Sequence, residues 1–240
     1  MKGKRTDMRK ISKMALTVTA VTATAAALTA TPAWAAGINV TMPGVPSPST
    51  QAVTGENSGS VAAASSSGGV LTCVDTGAAK ALTATGTVKV GTGVVDPVGS
   101  VTGLTFSNCT VSSQVATVTP QNLPWSLSTT GLTSSGATPG RLSGVRIVVN
   151  IPSIPCSATF QGSTSTNGFI NGTHTNPTSA GAASTLSLPF GSTNNLVATS
   201  VSATCPTNIV KNGDTATLAG VIKLRGVNST AKEGPTVVRT

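Results

Sequence analysis

His174 is the one imidazole of the chain, in Asn171-Gly172-Thr173-His174-Thr175-Asn176-Pro177. A Ser–His–acid hydrolase would have to build on it, with Asp214 or Asp96 as the orienting carboxylate. None of the many serines stands in a Gly-x-Ser-x-Gly elbow that would mark a nucleophile. Glycoside hydrolysis usually needs two carboxylates flanking the bond. Beyond residue 35 the acids are Glu56, Asp75, Asp96, Asp214 and Glu233. Asp96 precedes Pro97 and Asp214 follows Asn212-Gly213, turn settings in which Asp bonds its own backbone. Only Asp75, two residues after Cys73, adjoins a predicted strand. A single His and no Cys-x-x-Cys leave no zinc pattern. The residue types therefore read as non-catalytic, with no catalytic, cofactor or metal site. Trp125 shares a strand face with Leu123 and Leu127, a spacing that reads as core rather than as a sugar platform.

Four residues do carry covalent chemistry: Cys73, Cys109, Cys156 and Cys205. In an exported chain they read as two disulfides. The first residues supply the export signal. Lys2, Lys4, Arg5, Arg9, Lys10 and Lys13 form a basic region. An apolar stretch from Met14 to about Ala30 follows, then Ala33-Trp34-Ala35 as a cleavage site. The stretch is broken by five threonines and is too short for a good spanning helix. Residues 1–35 are read as a signal peptide, and no later stretch is apolar enough to span as a helix. The address is secreted, with retention on the cell wall as a variant.

The net charge of +9 is largely the leader's. Beyond residue 35, nine basic residues and five acids are dispersed. The aromatics there are Phe106, Trp125, Phe160, Phe169 and Phe190. Nucleic-acid binders cluster basic residues and often add stacking aromatics, so nucleic acid is not an expected partner.

The elements that must position these residues have a period of two. Leu82, Ala84, Val88 and Val90 alternate with Thr83, Thr85, Thr87 and Lys89. Val145, Ile147, Val149 and Ile151 alternate with Gly144, Arg146, Val148 and Asn150. Cys156, Ala158 and Phe160 form a third such face, and Leu218, Gly220, Ile222 and Leu224 a fourth. Turn signals separate them at Asp96-Pro97, Thr138-Pro139-Gly140, Asn167-Gly168, Asn171-Gly172, Asn176-Pro177 and Asn212-Gly213-Asp214. The fold class is all-β: an antiparallel β-sandwich, or a partly closed barrel, of about ten short strands stabilised by two disulfides. Residues 36–69 are Pro/Ser/Gly-rich and read as a linker or N-terminal arm, with room for an early edge strand near Gln51–Val53. Residues 70–226 are the β-rich domain, and 227–240 a tail or a last strand.

A weak internal repeat runs through 70–151 and 152–226. Each half has a Cys strand, a Gly-Thr strand, a strand leading to a second Cys, and a Leu-x-Gly-Val strand. If the halves are equivalent, the bonds are Cys73–Cys109 and Cys156–Cys205. The two other pairings stay open.

Four strings carry a resemblance: Gly99-Ser100-Val101-Thr102-Gly103-Leu104-Thr105-Phe106-Ser107-Asn108-Cys109-Thr110, Asn122-Leu123-Pro124-Trp125-Ser126-Leu127, Pro155-Cys156-Ser157-Ala158-Thr159-Phe160, and Lys211-Asn212-Gly213-Asp214-Thr215-Ala216-Thr217-Leu218-Ala219-Gly220. Their order over residues 70–225 resembles an uncharacterised family of exported actinobacterial all-β proteins. In that family a Gly-Pro turn usually follows the Asn-Cys-Thr element, where this chain has Val111-Ser112-Ser113-Gln114. The resemblance implies fold and address and transfers no catalytic residue.

The expected function is that of an exported, non-catalytic β-protein acting through its surface or as a structural component, with cell-wall or envelope components as partners. The alternative is a carrier with an apolar cleft for a small molecule. A hydrolase around His174 or an acid pair, and an assembling surface protein or channel, are the remaining readings.

Overall fold

The computed structural model describes residues 37–77, 79–164, 168–189 and 194–240. The leader, the Asn167 turn and Phe190 lie outside the described residues. In chain order the strands are β1 (Ile38–Thr41), β2 (Ser49–Asn57), β3 (Val61–Ser65), β4 (Val70–Cys73), β5 (Leu82–Val94), β6 (Gly99–Phe106), β7 (Cys109–Val111), β8 (Gln114–Gln121), β9 (Trp125–Thr129), β10 (Ala137–Ile151), β11 (Cys156–Gly162), β12 (Gly168–Thr175), β13 (Ser184–Leu188), β14 (Leu196–Thr199), β15 (Ala216–Gly226) and β16 (Thr236–Arg239). All of their pairings are antiparallel.

Two rings follow from those pairings. The upper ring runs β2-β5-β6-β9-β10-β12-β13-β15 and returns to β2. The lower ring runs β3-β4-β7-β8-β10-β11-β14. It closes through a Val197–Thr215 bridge and the β15–β3 ladder. Ring for ring, the strands are chain neighbours: β2 with β3, β5 with β4, β6 with β7, β9 with β8, β12 with β11, and β13 with β14. Only β10 and β15 pass uninterrupted through both. The described residues thus form one eight-stranded up-and-down barrel, two storeys tall, with a broken waist. Closure pairs the backbone edges that an open sheet would expose.

Period-two patterning decides which face is inside. Leu82, Val88, Val145, Ile147, Ile151, Cys156, Ala158 and Ile222 are all buried, while Thr83, Thr85 and Lys89 are exposed. The waist is made where β10 leaves β9 and β12 for β8 and β11. Its register to β12 shifts between Ser143 and Val145. Gly144 sits there at φ +88°, a bulge conformation that costs a side chain about 1–2 kcal/mol. Trp125 fills the space beside it and donates its indole N–H to the Gln121 carbonyl at 2.8 Å.

Both ends of the barrel carry extra chain. At the upper end β1 pairs with β16 and with the overhang of β5. Ile38, Val40, Met42, Val88, Val90, Val98 and Val237 form a small core of their own there. Thr138 donates to the Val237 carbonyl, and Val237 N–H donates to Asn176. At the lower end, the segment joining β14 to β15 is held to the β3–β4 turn. Ser65 donates to the Ile209 carbonyl, and Ser66 and Ser67 donate to Asp214.

Several sequence expectations are corrected. Residues 36–69 are no linker: they supply β1, β2 and β3. Their prolines and glycines occupy the turns, and β2 pairs on both sides, so it is no edge strand. For residues 227–240, read as a tail or a last strand, the last strand is present as β16. Thr138-Pro139-Gly140 and Asn171-Gly172 are not turns but strand interiors. Pro139 stands near the start of β10, and Gly172 is inside the barrel, where a Cβ would come within 2.6 Å of the Ser187 carbonyl. The sequence halves are arcs of one barrel, and the described residues all fall in one compact unit spanning 35–240. After Cys109, Val111 pairs with Gln114 around a two-residue turn. Ser112 and Ser113 stand at φ +47° and +69°, the mirror-image conformation tight hairpins prefer.

Candidate functional site

The barrel interior is incompletely filled. Three cavities lie in series along the axis. The lower one, about 70 Å³, is lined by Ala63, Val118, Val149, Phe160 and Ala216, with Ile209 and Val210 of the β14–β15 segment. The waist cavity, also about 70 Å³, is lined by Leu82, Leu104, Trp125, Leu142 and Ile170. The upper one, about 80 Å³, is lined by Val53, Gly55, Val88, Leu127 and His174, with Pro235 and Val237 across its end. Neighbouring cavities share walls. Ala84, Val101, Leu186 and Leu224 line both the upper and the waist cavities, and Val61, Phe106, Ile147 and Leu218 both the waist and the lower. The partitions are therefore side chains, not backbone. With few aromatics and with Gly55, Gly140 and Gly220 lining these cavities, the inner faces cannot fill the lumen. An apolar void of this kind stays dry and accepts apolar guests.

Polar groups gather at the upper end. Thr138 is 1% exposed, and its hydroxyl is satisfied by Thr133 and Val237. His174 is 7% exposed, pairs in register with Thr138 and Leu186, and neither ring nitrogen has a partner. Burial pushes its pKa down from 6.5 to about 4, so the imidazole is neutral near pH 7. Ser184 is fully buried, and its hydroxyl is likewise unpartnered. It stands two residues from Leu186 on β13, hence on the same inward face as His174.

The carboxylates are elsewhere. Asp96 accepts from Thr129 N–H and Oγ1 and pairs with Arg239 at 3.6 Å. Asp75 accepts from Ala81 N–H, Asn57 and Lys80, bonds that hold its carboxyl down at about 2. Asp214 is buried, which works to raise its pKa. The bonds from Ser67, the Lys211 backbone and Ser66 outweigh this and hold it below the ordinary value. Glu233 accepts from Gly181 N–H, and Glu56 lies opposite Lys223 on the outer face. Neither Asp96 nor Asp214 bonds to His174, so the triad weighed from the sequence is not assembled. Lys211 Nζ reaches Ser67 Oγ at 2.7 Å, an arrangement sequence spacing could not reveal. Lys211 Nζ is exposed and ion-paired to Asp214 at 3.6 Å, and it donates to Ser67.

The cysteines are joined as the internal repeat suggested. Cys73–Cys109 links directly opposed residues of β4 and β7, and Cys156–Cys205 links the start of β11 to the segment after β14. Trp125 is a core residue. Among the described residues no cluster of His, Cys, Asp or Glu suits a metal ion, and no helix is long and apolar enough to cross a membrane.

No protein-family model, no curated protein and no solved structure matches the chain. From sequence an apolar cleft stood only as an alternative, with none of its lining residues, because the cavities need ring closure. The signal that could have found them was the glycine content of the inward faces, Gly55, Gly140, Gly172 and Gly220.

Proposed function

We propose that this is an exported, non-catalytic barrel that carries a slender apolar molecule in its interior. The observation that carries this reading is the series of three apolar cavities along one axis. Eight strands make the smallest common barrel able to hold one small ligand. Apolar lining with a few convergent polar groups is the usual make-up of a binding cavity. Export fits the basic and apolar stretches of the first residues and the paired cysteines. Titration with diphenylhexatriene, a rod-shaped hydrocarbon fluorescent only in apolar surroundings, tests it. Saturable emission with one probe per chain is expected. A linear, unsaturable response would overturn the carrier reading.

A second reading, envelope contact through the outer surface, is favoured by one patch. Val70 and Val74 of the β4 strand and its end, and Val115 of β8, are 49%, 44% and 70% exposed. They flank the outer face of β7 in the lower ring, with only Thr72 and Thr110 between them. Co-sedimentation with the producer's wall material should be lost in Val74→Asp/Val115→Asp if this patch binds. Equal pelleting of the variant would exclude the patch.

A further inference from the structure

The carrier reading leaves the chemistry of the cargo unassigned. We infer that the interior takes a straight-chain amphiphile with one uncharged hydroxyl head, the head beneath β16 against His174, the chain running past Trp125 into the lower ring. This rests on the carrier reading and adds the head group and the orientation.

The head is placed by a buried polar side chain that lacks partners. Buried polar groups in native proteins are nearly always hydrogen-bonded, and orphans ask for a missing partner. His174 is more than nine-tenths buried, neither ring nitrogen has a partner, and the ring lines the upper cavity. A neutral imidazole offers one donor and one acceptor. A hydroxyl head, itself donor and acceptor, can satisfy one of its nitrogens.

The head is uncharged because nothing at that end would neutralise a charge. The ionised groups near the upper cavity, Asp96 and Arg239, are paired with each other and bonded to Thr129. An ionised head buried without a counter-charge would be strongly disfavoured.

The tail is placed by polarity. The waist cavity has no charged or hydroxyl side chain in its wall, and in the lower cavity the one hydroxyl is Ser65. That hydroxyl is engaged with the Ile209 carbonyl. The fifteen residues of β10, tilted as barrel strands are, span roughly 35–40 Å of axis. Such a path suits a long unbranched chain. Rotamer changes at Leu186 and Leu224 would join the upper cavity to the waist.

Trp125, the one tryptophan of the described residues, lines the waist and reports the chain. The probes are dodecanol brominated on its last carbon, dodecanol brominated beside the hydroxyl, and dodecane brominated on a terminal carbon. Bromine quenches indole emission on contact, and displacement of diphenylhexatriene gives each affinity. Tail-brominated dodecanol should quench Trp125 and bind about tenfold more tightly than the bromoalkane. Head-brominated dodecanol should bind but quench far less. His174→Leu should bring the alcohol-to-alkane affinity ratio toward one. Equal affinity for alcohol and alkane in the unmodified protein, or stronger quenching by the head-brominated probe, overturns this inference while the carrier reading stands. Failure of every probe to bind overturns both.

Discussion

Replacing Cys156 and Cys205 together by alanine is expected to lower the unfolding free energy by about 4 kcal/mol. The bond spans 49 residues of sequence, and closing a loop of that size removes this much freedom from the unfolded chain in the chain-entropy account. The loss should read as a fall in denaturant midpoint with a somewhat steeper slope, because the unfolded chain without the bond is less compact and exposes more surface. Its structural consequence is local. Cys205 lies outside the strand ladders, in the segment that carries Ile209 and Val210 over the lower cavity. Apart from the disulfide, Ser202 ties that segment to β11 through two hydrogen bonds with Ser157. Without the disulfide, amide exchange should accelerate across residues 200–215, while β4 and β7 stay protected. Removing Cys73 and Cys109 should cost a similar amount, because the separation is 36 residues, yet leave 200–215 slow to exchange. A loss below about 1 kcal/mol for the first pair would mean that loop closure is not what that bond contributes.

The contrast between the two bonds marks what the sequence could and could not reveal. Pairing was legible because each half repeats one order, a Cys strand, a Gly-Thr strand and a stretch leading to a second Cys, although Cys73 ends β4, Cys109 and Cys156 begin β7 and β11, and Cys205 lies beyond β14. Inward faces such as Leu82-Ala84-Val88 were legible because burial on one side of a strand imposes a period of two. Ring closure was not. It depends on β15 returning to β2 and β3 across some 160 residues, and alternation looks the same in a sandwich and in a barrel. The strands in 36–69 were hidden for another reason. Met42-Pro43-Gly44-Val45-Pro46 and Ser65-Ser66-Ser67-Gly68-Gly69 announce turns so strongly that the short strands beside them read as linker. Gly172 misled in the opposite sense. In β12 it is needed because Leu188 and the Ser187 carbonyl approach closely, not because the chain reverses.

His174 should make the protein's stability fall on mild acidification. Its pKa in the folded state is lowered by burial from 6.5 to about 4. Below pH 6.5 the unfolded chain takes up a proton at this residue, and the folded chain does not until the pH nears 4. The unfolded state therefore binds more protons across that window, and unfolding free energy rises with pH through it. A tenfold change in proton affinity is worth about 1.4 kcal/mol, so the full interval corresponds to about 3 kcal/mol. Asp75, whose carboxyl is held at about 2, loses its contribution only at lower pH, as the folded group protonates. The two windows separate in a series of denaturation curves from pH 7.5 down to about 1.5. In His174→Leu the slope between pH 6.5 and 4 should vanish while the fall at lower pH remains. The variant should fold, because it exchanges two unpartnered ring nitrogens for an apolar side chain facing Leu186 and Val237. An unchanged slope in that variant would place His174 in contact with water. A cargo hydroxyl that donates to the bare ring nitrogen favours the neutral imidazole and should carry the same fall on to lower pH. The difference between loaded and empty protein would then measure how firmly the upper end of the barrel holds the neutral imidazole.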